Sequence, residues 1–139
     1  MSGLCYRFQV PGDDYSRAGE ASSTVKNRLK RLGVSPEAIR RVSIALYEGE
    51  INMVIHGGGG GVTVTVSPDR VDMVLEDHGK GIPDIEKAMQ EGYSTASEEA
   101  RSLGFGAGMG LPNMKKYTDT MQIESTVGVG TTVRMTVLL

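Results

Sequence analysis

The sequence has little cysteine, no excess of positive charge and no long hydrophobic run, and each of these absences excludes a class of protein. Cys5 is the single cysteine among 139 residues, so the chain forms no intrachain disulfide and contains no zinc-binding spacing. We therefore expect a reducing compartment and a buried thiol. A formal net charge of −2 argues against a nucleic-acid binder, because no basic field is available to displace counterions from phosphates.

Hydrophobic residues make up 39% of the chain, but no apolar run approaches the roughly 18 residues that a membrane-spanning helix needs. Residues 1–10 also lack the charged and apolar regions of a signal peptide. One basic cluster, KNRLKR at residues 26–31, is interpreted as a solvated helix face. Together these features predict a soluble cytoplasmic protein that neither enters a membrane nor contacts nucleic acid directly.

Glycine is abundant, with 19 residues in the chain, well above the usual share of about 7%. The glycines fall into clusters at residues 57–61, at Gly79 and Gly81, within residues 104–110, and at Gly128 and Gly130. Periodic hydrophobic segments separate these clusters. The pattern indicates a folded chain with specialised loops, and the length fits one domain.

Hydrophobic periodicity and turn residues divide the chain into strands and helices. The predicted strands cover residues 4–10, 62–66, 71–77, 121–126 and 131–139, and the predicted helices cover residues 14–32, 36–56, 83–91 and 111–118. Gly33 stands where a left-handed helix cap belongs, and Ser35 and Pro36 form a strong helix start. Because helices interrupt hairpins rather than link parallel strands, we expect an α+β sandwich. Its sheet is mixed, mostly antiparallel, and covered by helices on one face.

The second predicted helix carries polar residues among apolar ones. A core stripe at three- or four-residue steps is formed by Ile39, Val42, Leu46, Gly49 and Met53. Glu48 and Asn52 are four residues apart on the neighbouring stripe, so a carboxylate and an amide point the same way. The carboxylate can accept a proton, and the amide oxygen can coordinate Mg²⁺. Glu50 points elsewhere around the helix and is expected to be solvated.

Two glycine-containing segments complete a candidate nucleotide site. Asp77 ends a predicted strand and can accept a hydrogen bond from an adenine amino group, while Gly79 and Gly81 let the backbone pass close to the base. The segment GFGAGMGL at residues 104–111 precedes a helix and can offer backbone N–H groups to phosphate oxygens. Each motif alone has a structural explanation, and the absence of a βαβ unit rejects a dinucleotide-binding fold. Only the motifs taken together, in their order along the chain, support the prediction of a nucleotide site.

In chain order the motifs are Glu48-x-x-x-Asn52, Asp77-x-Gly79-x-Gly81-Ile82, Gly106-x-Gly108-x-Gly110 and Gly130-Thr131-Thr132. This set resembles the N, G1, G2 and G3 boxes of the GHKL ATPase superfamily, which groups DNA gyrase, histidine kinases and mismatch-repair ATPases. Within it, the chain is most similar to the small bacterial serine kinases of anti-sigma-factor and stressosome switches. The resemblance implies one histidine-kinase-like ATPase domain over residues 1–139, with a two-layer Bergerat ATP-binding fold.

The resemblance also implies roles for individual residues in binding ATP and Mg²⁺. Asn52 is the metal ligand, Asp77 recognises adenine, and Glu48 is the general base that takes the proton from a partner's hydroxyl. Thr132 supports the adenine end through a hydrogen bond or water. The other residues implied to lie against the nucleotide are Gly79, Gly81, Ile82, Gly104, Gly106, Gly108, Met109, Gly110, Leu111 and Lys115.

Two features depart from the family pattern. Anti-sigma kinases of the sporulation type carry an arginine directly before the short glycine loop, where this chain has Gly106. Arg101 is the candidate to replace it at the γ-phosphate, provided that residues 93–103 close as a lid. The glycine run at residues 57–61 has no explanation from the sequence.

The resemblance implies an ATP-dependent protein serine/threonine kinase that acts on a small regulatory partner, an anti-sigma antagonist of the STAS fold. It also allows a sigma factor or a phosphatase as a second client, and a homodimer. One alternative is a binding module that uses ATP to set its shape and sequesters a partner without phosphate transfer. Glu48 separates these two, because a pure binder needs no base beside the γ-phosphate. A detached histidine-kinase catalytic domain is a third hypothesis, and it requires a phosphoacceptor supplied in trans.

Overall fold

The structure is a computed structural model that describes residues 4–12, 15–55, 58–79, 81–82, 85–89 and 110–139. The strands are β1 (Leu4–Pro11), β2 (Gly59–Val66), β3 (Arg70–Asp77), β4 (Thr120–Thr126) and β5 (Gly130–Leu138). The helices are α1 (Glu20–Arg31), α2 (Pro36–Ile55), α3 (Ile85–Ala88) and α4 (Gly110–Lys116), and a 3-10 turn at Tyr15–Arg17 precedes α1. The described elements match the predicted ones in kind and order. Three bounds differ by more than one or two residues: α1 begins at Glu20 rather than at residue 14, β2 begins at Gly59 rather than at residue 62, and α3 ends at Ala88 rather than at residue 91.

The five strands form one sheet in the order β1-β2-β3-β5-β4, with β3 at its centre. Every pairing among these described strands is antiparallel, so this sheet contains no parallel pair. The helices α1 and α2 cover one face of the sheet. The predicted α+β class, with helices on one face, is therefore confirmed.

Along each strand, successive side chains point alternately to a buried face and to a polar face of the sheet. On β3, Val71, Met73 and Leu75 lie under the helices and are at most 2% exposed. Helix α1 adds Val25 and Leu29 to the same core, and the stripe predicted on α2 is buried as expected. Burying each such side chain contributes about 1.5–3 kcal/mol relative to leaving it in water. This burial holds α1 and α2 against the sheet.

The start of α2 and its closest approach to the sheet follow from single residues. Ser35 Oγ accepts a hydrogen bond from the backbone N–H of Ala38 at 3.3 Å, which confirms the predicted cap. Further along α2, a Cβ at Gly49 would collide with the side chain of Leu75. Glycine at this position lets the helix lie against β3, and this contact fixes the height of the neighbouring polar side chains above the sheet.

Glu50 was expected to be solvated, and this prediction is wrong. The residue is 1% exposed, and its carboxylate oxygens accept three backbone hydrogen bonds from the start of α1. The donors are Gly19 and Ala21 to Oε2, at 2.9 and 3.1 Å, and Ser22 to Oε1 at 3.0 Å. Helix α1 has no side-chain cap of its own at Gly19, so a carboxylate from α2 fills that role.

Part of the glycine run at residues 57–61 now has an explanation. A Cβ at Gly60 would collide with the backbone carbonyl of Glu76 and would lie 2.8 Å from Met53 Cε. Gly60 pairs with Asp77 in the sheet, so Met53 packs over β2 beside the end of β3. At Gly61 no atom lies within 4 Å of an added Cβ, and nothing in the structure explains that glycine.

Cys5 was expected to be buried, and it is exposed. It lies on the edge strand β1, where the helix-facing positions belong to its neighbours Leu4 and Tyr6, so alternation places the thiol on the polar face. Across the described part of the chain, no helix has the length and apolar character needed to cross a membrane.

Candidate functional site

Glu48 and Asn52 lie on the side of α2 that faces α4, and both side chains are partly buried. Asn113 Nδ2 lies 3.4 Å from Glu48 Oε1, which makes a long hydrogen bond. Asn52 Nδ2 lies 3.9 Å from Met114 Sδ, a weak acceptor. Among the described residues, no hydrogen bond reaches Asn52 Oδ1 or Glu48 Oε2. The described part of the chain therefore leaves one amide oxygen and one carboxylate oxygen without a donor, and a ligand could occupy both.

The first residue of α4 lies directly against Asn52. A Cβ at Gly110 would lie 3.0 Å from both Oδ1 and Nδ2 of that amide, so glycine lets the backbone approach it closely. The next residue, Leu111, is buried and anchors α4 in the core. Lys115 is exposed in the last turn of α4, about 7.5 Å along the helix axis from Gly110. Its contact with a phosphate stays a prediction.

Asp77 closes the buried row at the end of β3, and local backbone groups hold its carboxylate. Oδ1 accepts hydrogen bonds from the backbone N–H of Gly79 at 3.0 Å and of Thr131 at 3.2 Å. No hydrogen bond reaches Oδ2 within the described part of the chain. The carboxylate is thus fixed in orientation by one oxygen and keeps the other for a donor such as an exocyclic amine.

Thr131 lies opposite Asp77, whereas Thr132, the residue expected to support adenine, lies on the other face of the sheet. The register of β3 and β5 pairs Thr131 with Asp77 and Thr132 with Glu76. Thr131 is 8% exposed, and its hydroxyl lies 2.8 Å from Ser125 Oγ. Because side chains of successive strand residues point to opposite faces, Thr131 shares the face of Asp77, and the role expected of Thr132 fits Thr131 better.

The segment after β3 is held against the turn between β4 and β5. Ile82 donates its backbone N–H to Ser125 Oγ at 2.6 Å. Gly81 has φ of 78°, and a Cβ there would lie 2.5 Å from the carbonyl oxygen of Thr126. Ser125 thereby links Ile82 to Thr131, next to Asp77. The predicted residues Gly79, Gly81 and Ile82 are brought together at this end of the sheet.

The two halves of the site meet at one end of the interface between α2 and the sheet. Gly60 lies against both Met53 on α2 and Asp77 on β3. A Cβ added to Gly60 would lie 2.8 Å from Met53 Cε and 2.9 Å from Asp77 Cα. Because Asn52 immediately precedes Met53 on α2, the amide and the Asp77 carboxylate belong to the same end of this interface. The amide oxygen of Asn52 and the Asp77 carboxylate therefore lie at the same end of this interface, and their chemistry suits a hard cation and an amine donor respectively.

Tyr47 lies beside Glu48, and its ring packs near Gly19 at the start of α1. Partial burial raises the pKa of the Tyr47 hydroxyl, and the charges of Glu48 and Glu50 raise it further. The hydroxyl therefore keeps its proton at neutral pH. Glu48, rather than Tyr47, is the group at this edge of the site that can accept a proton.

Several predicted residues lie outside the described residues, and their roles stay predictions. They are Arg101, Gly104, Gly106, Gly108 and Met109. Conversely, sequence reasoning missed Asn113, Ser125 and Thr131. Thr131 stands in the motif that had been singled out, so its signal was present, but the strand register was needed to choose between it and its neighbour. Asn113 and Ser125 carry no signal in the sequence alone.

This fold and site define a class of protein. A family model described as the histidine kinase-like ATPase domain matches residues 13–137, and the chain belongs to that family. A solved structure with a similar fold is that of the SiaB–SiaC complex from Pseudomonas aeruginosa. The match to one of its chains has a TM-score of 0.57 at 12% identity, and it covers 98% of this chain and 89% of that one.

Individual relatives are more informative about the kind of ATPase domain this is. The anti-sigma F factor of Thermoanaerobacter sp. (strain X514) is 41% identical over 121 residues, which cover 84% of this chain and 81% of the relative. The serine/threonine-protein kinase RsbT of Bacillus subtilis (strain 168) is 32% identical over 113 residues, which cover 78% of this chain and 79% of the relative. The resemblance inferred from the sequence motifs is thereby confirmed at the level of the family.

Proposed function

We propose that the chain is an ATP-dependent protein serine/threonine kinase that switches a small regulatory partner by binding and phosphorylating it. The observation that carries the proposal is Glu48, a partly buried carboxylate beside Asn52 that accepts one long hydrogen bond, at one oxygen, from the residues that the structure describes. A carboxylate held for structural reasons alone would be saturated with donors, as Glu50 is. The names of the relatives, a serine/threonine kinase and an anti-sigma factor, support the same role.

The residues at the site fit ATP and Mg²⁺. Asn52 Oδ1 would hold the cation, Asp77 Oδ2 would accept from the adenine amine, and Thr131 would support the Asp77 carboxylate. The glycine loop at residues 104–110 and Arg101 would surround the phosphates. Bound Mg·ATP supplies the γ-phosphoryl group and the charge that neutralises its oxygens.

Glu48 would act as the base in phosphate transfer. Its carboxylate would take the proton of the partner's serine or threonine hydroxyl as that oxygen bonds to phosphorus and the bond to the ADP oxygen breaks. Asn113 would orient the carboxylate by donating to Oε1, which leaves Oε2 to receive the proton. Positioning of the two reactants by this site supplies the remainder of the rate enhancement.

We propose that the partner is a STAS-type regulatory protein, with a sigma factor or a phosphatase as a second client. A phosphate adds about −1.5 to −2 charges, and that charge opposes an interface fitted to the free hydroxyl, so the phosphorylated partner is released. The reaction consumes ATP and acts on a transcription or stress regulator, so we propose a cytoplasmic location. Homodimerisation belongs to the same proposal.

The direct test is transfer of radiolabelled phosphate from ATP to a candidate STAS partner. We expect transfer by the wild-type chain and none by Glu48→Ala, with Glu37→Gln as a control because Glu37 is exposed in the first turn of the same helix. Nucleotide binding is measured in parallel by calorimetry. If every variant binds ATP and none, including the wild type, labels any partner, the kinase proposal fails.

A second candidate is a binding module that sequesters a partner in an ATP-dependent manner without phosphate transfer. It is favoured by the fact that the relative with 41% identity is named as an anti-sigma factor rather than as a kinase. The same assay separates the two functions. A pure binder forms an ATP-dependent complex that Glu48→Ala leaves intact, and no label appears on the partner.

A further inference from the structure

A groove runs between α1 and the first half of α2, on the outer side of the helical layer. Its cavity has a volume of about 610 Å³. The apolar part of its surface comes from Val34, Ile39 and Ile44, and the cationic part from Lys26, Lys30 and Arg40. The volume lies within the range of about 300–1,000 Å³ that is usual for ligand pockets. The groove therefore combines a hydrophobic floor with basic side chains.

The cations of this groove lack acidic partners. Lys26, Lys30 and Arg40 form no ion pair among the described residues, and no acidic residue lines the cavity. The Arg40 guanidinium instead lies 5.3 Å from the centre of the Tyr117 ring, which holds it at the edge of the groove. The chain as a whole is acidic, with a net charge of −2, so this positive surface is a local feature.

Ser43 adds an independent observation. It lines the same cavity, and its hydroxyl oxygen is the one buried side-chain polar atom without a hydrogen-bond partner in the described part of the chain. A buried polar group left unpaired costs about 1–3 kcal/mol, so such groups in native proteins normally have a partner. The oxygen itself is buried, so a polar group of a ligand in the groove would reach it only if the groove wall moved.

We propose that this groove is a docking site for an acidic amphipathic helix of a protein partner. The apolar residues of such a helix, spaced at i, i+3 and i+4, would pack on the floor, and its flanking carboxylates would meet Lys26, Lys30 and Arg40. A free phosphate ligand would leave the apolar floor without a role. A membrane surface would not enter a concave groove. Charge complementarity therefore favours a folded acidic segment.

The docking groove is separate from the nucleotide site and does not depend on it. The nearest residues of the two regions on α2 are Ile44 in the groove and Glu48 in the site, which are four residues or about 6 Å apart along the helix axis. The two regions therefore share no residue, although they adjoin on the same helix. The proposal stands on the groove alone, and its test requires no nucleotide.

The test uses a fluorescein-labelled 18-residue peptide designed as a helix, with leucines at i, i+3 and i+4 spacing and glutamates on the flanks. Anisotropy titrations without nucleotide measure its Kd for the full chain. We expect saturable binding in the micromolar range and at least tenfold weaker binding by Lys26→Glu/Lys30→Glu. The matched control is Arg7→Glu/Arg134→Glu, which makes the same charge change on the polar face of the sheet and should change Kd less than twofold.

A scrambled peptide of equal composition tests whether binding requires an amphipathic helix or only negative charge. We expect it to bind at least tenfold more weakly, and amide chemical shifts induced by the designed peptide should cluster within residues 26–44. Circular dichroism confirms that each variant folds. The proposal is overturned if the designed peptide does not saturate at millimolar concentration, if both peptides bind equally, or if the control variant loses as much affinity as the groove variant. Binding of the chain to anionic vesicles without peptide binding would identify a membrane surface and likewise overturn it.

Discussion

Glu48 and Glu50 lie two positions apart on α2, and different elements of the protein cover them. The start of α1 packs over Glu50, which is 1% exposed and accepts three backbone hydrogen bonds of 2.9–3.1 Å. Helix α4 lies beside Glu48, which is partly buried and accepts one side-chain hydrogen bond at 3.4 Å. Both regions belong to one helix and use the same residue type, so the difference comes from the surrounding donors.

The comparison separates a carboxylate that stabilises the fold from one that is available for chemistry. Hydrogen bonds to a charged group contribute about 1.5–3 kcal/mol each, so three backbone donors tie Glu50 firmly to α1. Because Glu50 is also 1% exposed, a substrate hydroxyl cannot reach it. Glu48 differs, because no donor among the described residues reaches its second oxygen, and none reaches the neighbouring amide oxygen of Asn52. The two residues should therefore respond differently to the same substitution.

The largest expected effect is on the rate of phosphate transfer in Glu48→Gln. The amide cannot accept the hydroxyl proton, so the single-turnover rate with a partner should fall about 10²- to 10⁴-fold. The free energy of unfolding in urea should stay within about 0.5 kcal/mol of the wild type, since Glu48 makes one long hydrogen bond. An unchanged rate would show that Glu48 is not the base. The proposed difference in function between Glu48 and Glu50 would then be wrong.

Glu50→Ala should have the largest effect on stability. It leaves the N–H groups of Gly19, Ala21 and Ser22 without their acceptor at a buried helix start. We expect the free energy of unfolding to fall by about 3 kcal/mol, and by about 2 kcal/mol in Glu50→Gln, which keeps one acceptor oxygen. Urea denaturation measures both values. A loss below about 0.5 kcal/mol in both variants would mean that the cap contributes little.

A smaller effect is expected from another pair of neighbouring residues, Thr131 and Thr132. In Thr131→Val the hydroxyl contact to Ser125 beside Asp77 is lost, and ATP should bind about three- to tenfold more weakly, which corresponds to one hydrogen bond. Thr132→Val changes the opposite face of the sheet and should leave the affinity unchanged. Calorimetric titration with ATP measures both. Equal losses would show that the face of the sheet does not decide the role of these residues.

The sequence was sufficient to predict what depends on local spacing. The cap at Ser35, the buried stripe on α2 and the shared direction of Glu48 and Asn52 follow from helix periodicity, and the structure contains the first two as expected. Periodicity also indicated that Glu50 points away from Glu48. It did not indicate which element would cover Glu50, because contacts between distant segments leave no local pattern.

The same limit explains why the sequence favoured Thr132 over Thr131. The motif located two adjacent threonines, but only the pairing of β3 with β5 shows which of them shares a face with Asp77. A shift of one residue in register would exchange their positions. Asn113 and Ser125 were missed for the same reason, since each acts through a residue far away in the sequence. Local patterns therefore predict where a candidate site lies in the sequence, and long-range contacts determine which side chains meet there.

Asp119 is a surface counterpart of Glu50. Its carboxylate also accepts a hydrogen bond from a backbone N–H, so it shows how much such a bond contributes to stability when the group is exposed. Its Oδ2 accepts the Leu138 N–H at 2.7 Å and lies 3.3 Å from Arg41 Nη2, and its side chain is 32% exposed. The Leu138 hydrogen bond lowers the pKa of Asp119, desolvation partly opposes that change, and Arg41 lowers the pKa further. Because the folded-state pKa is depressed, the carboxylate stabilises the protein above its unfolded-state pKa of about 3.9. That contribution is lost as the pH falls through the folded-state value.

We expect Asp119→Asn to lower the free energy of unfolding at pH 7 by a few tenths of a kcal/mol, since solvent screens an exposed pair. The difference between wild type and variant should be smaller at pH 2.5 than at pH 7, because the wild-type carboxyl group takes up its proton as the pH falls toward and through its depressed folded-state pKa. Urea denaturation at both pH values checks this, with Asp69→Asn as a control on a nearby exposed acid. A difference that does not change with pH would assign the loss to geometry rather than charge. In that case the much larger effect expected at Glu50 would have to be attributed to burial of its donors and not to the charge of its carboxylate.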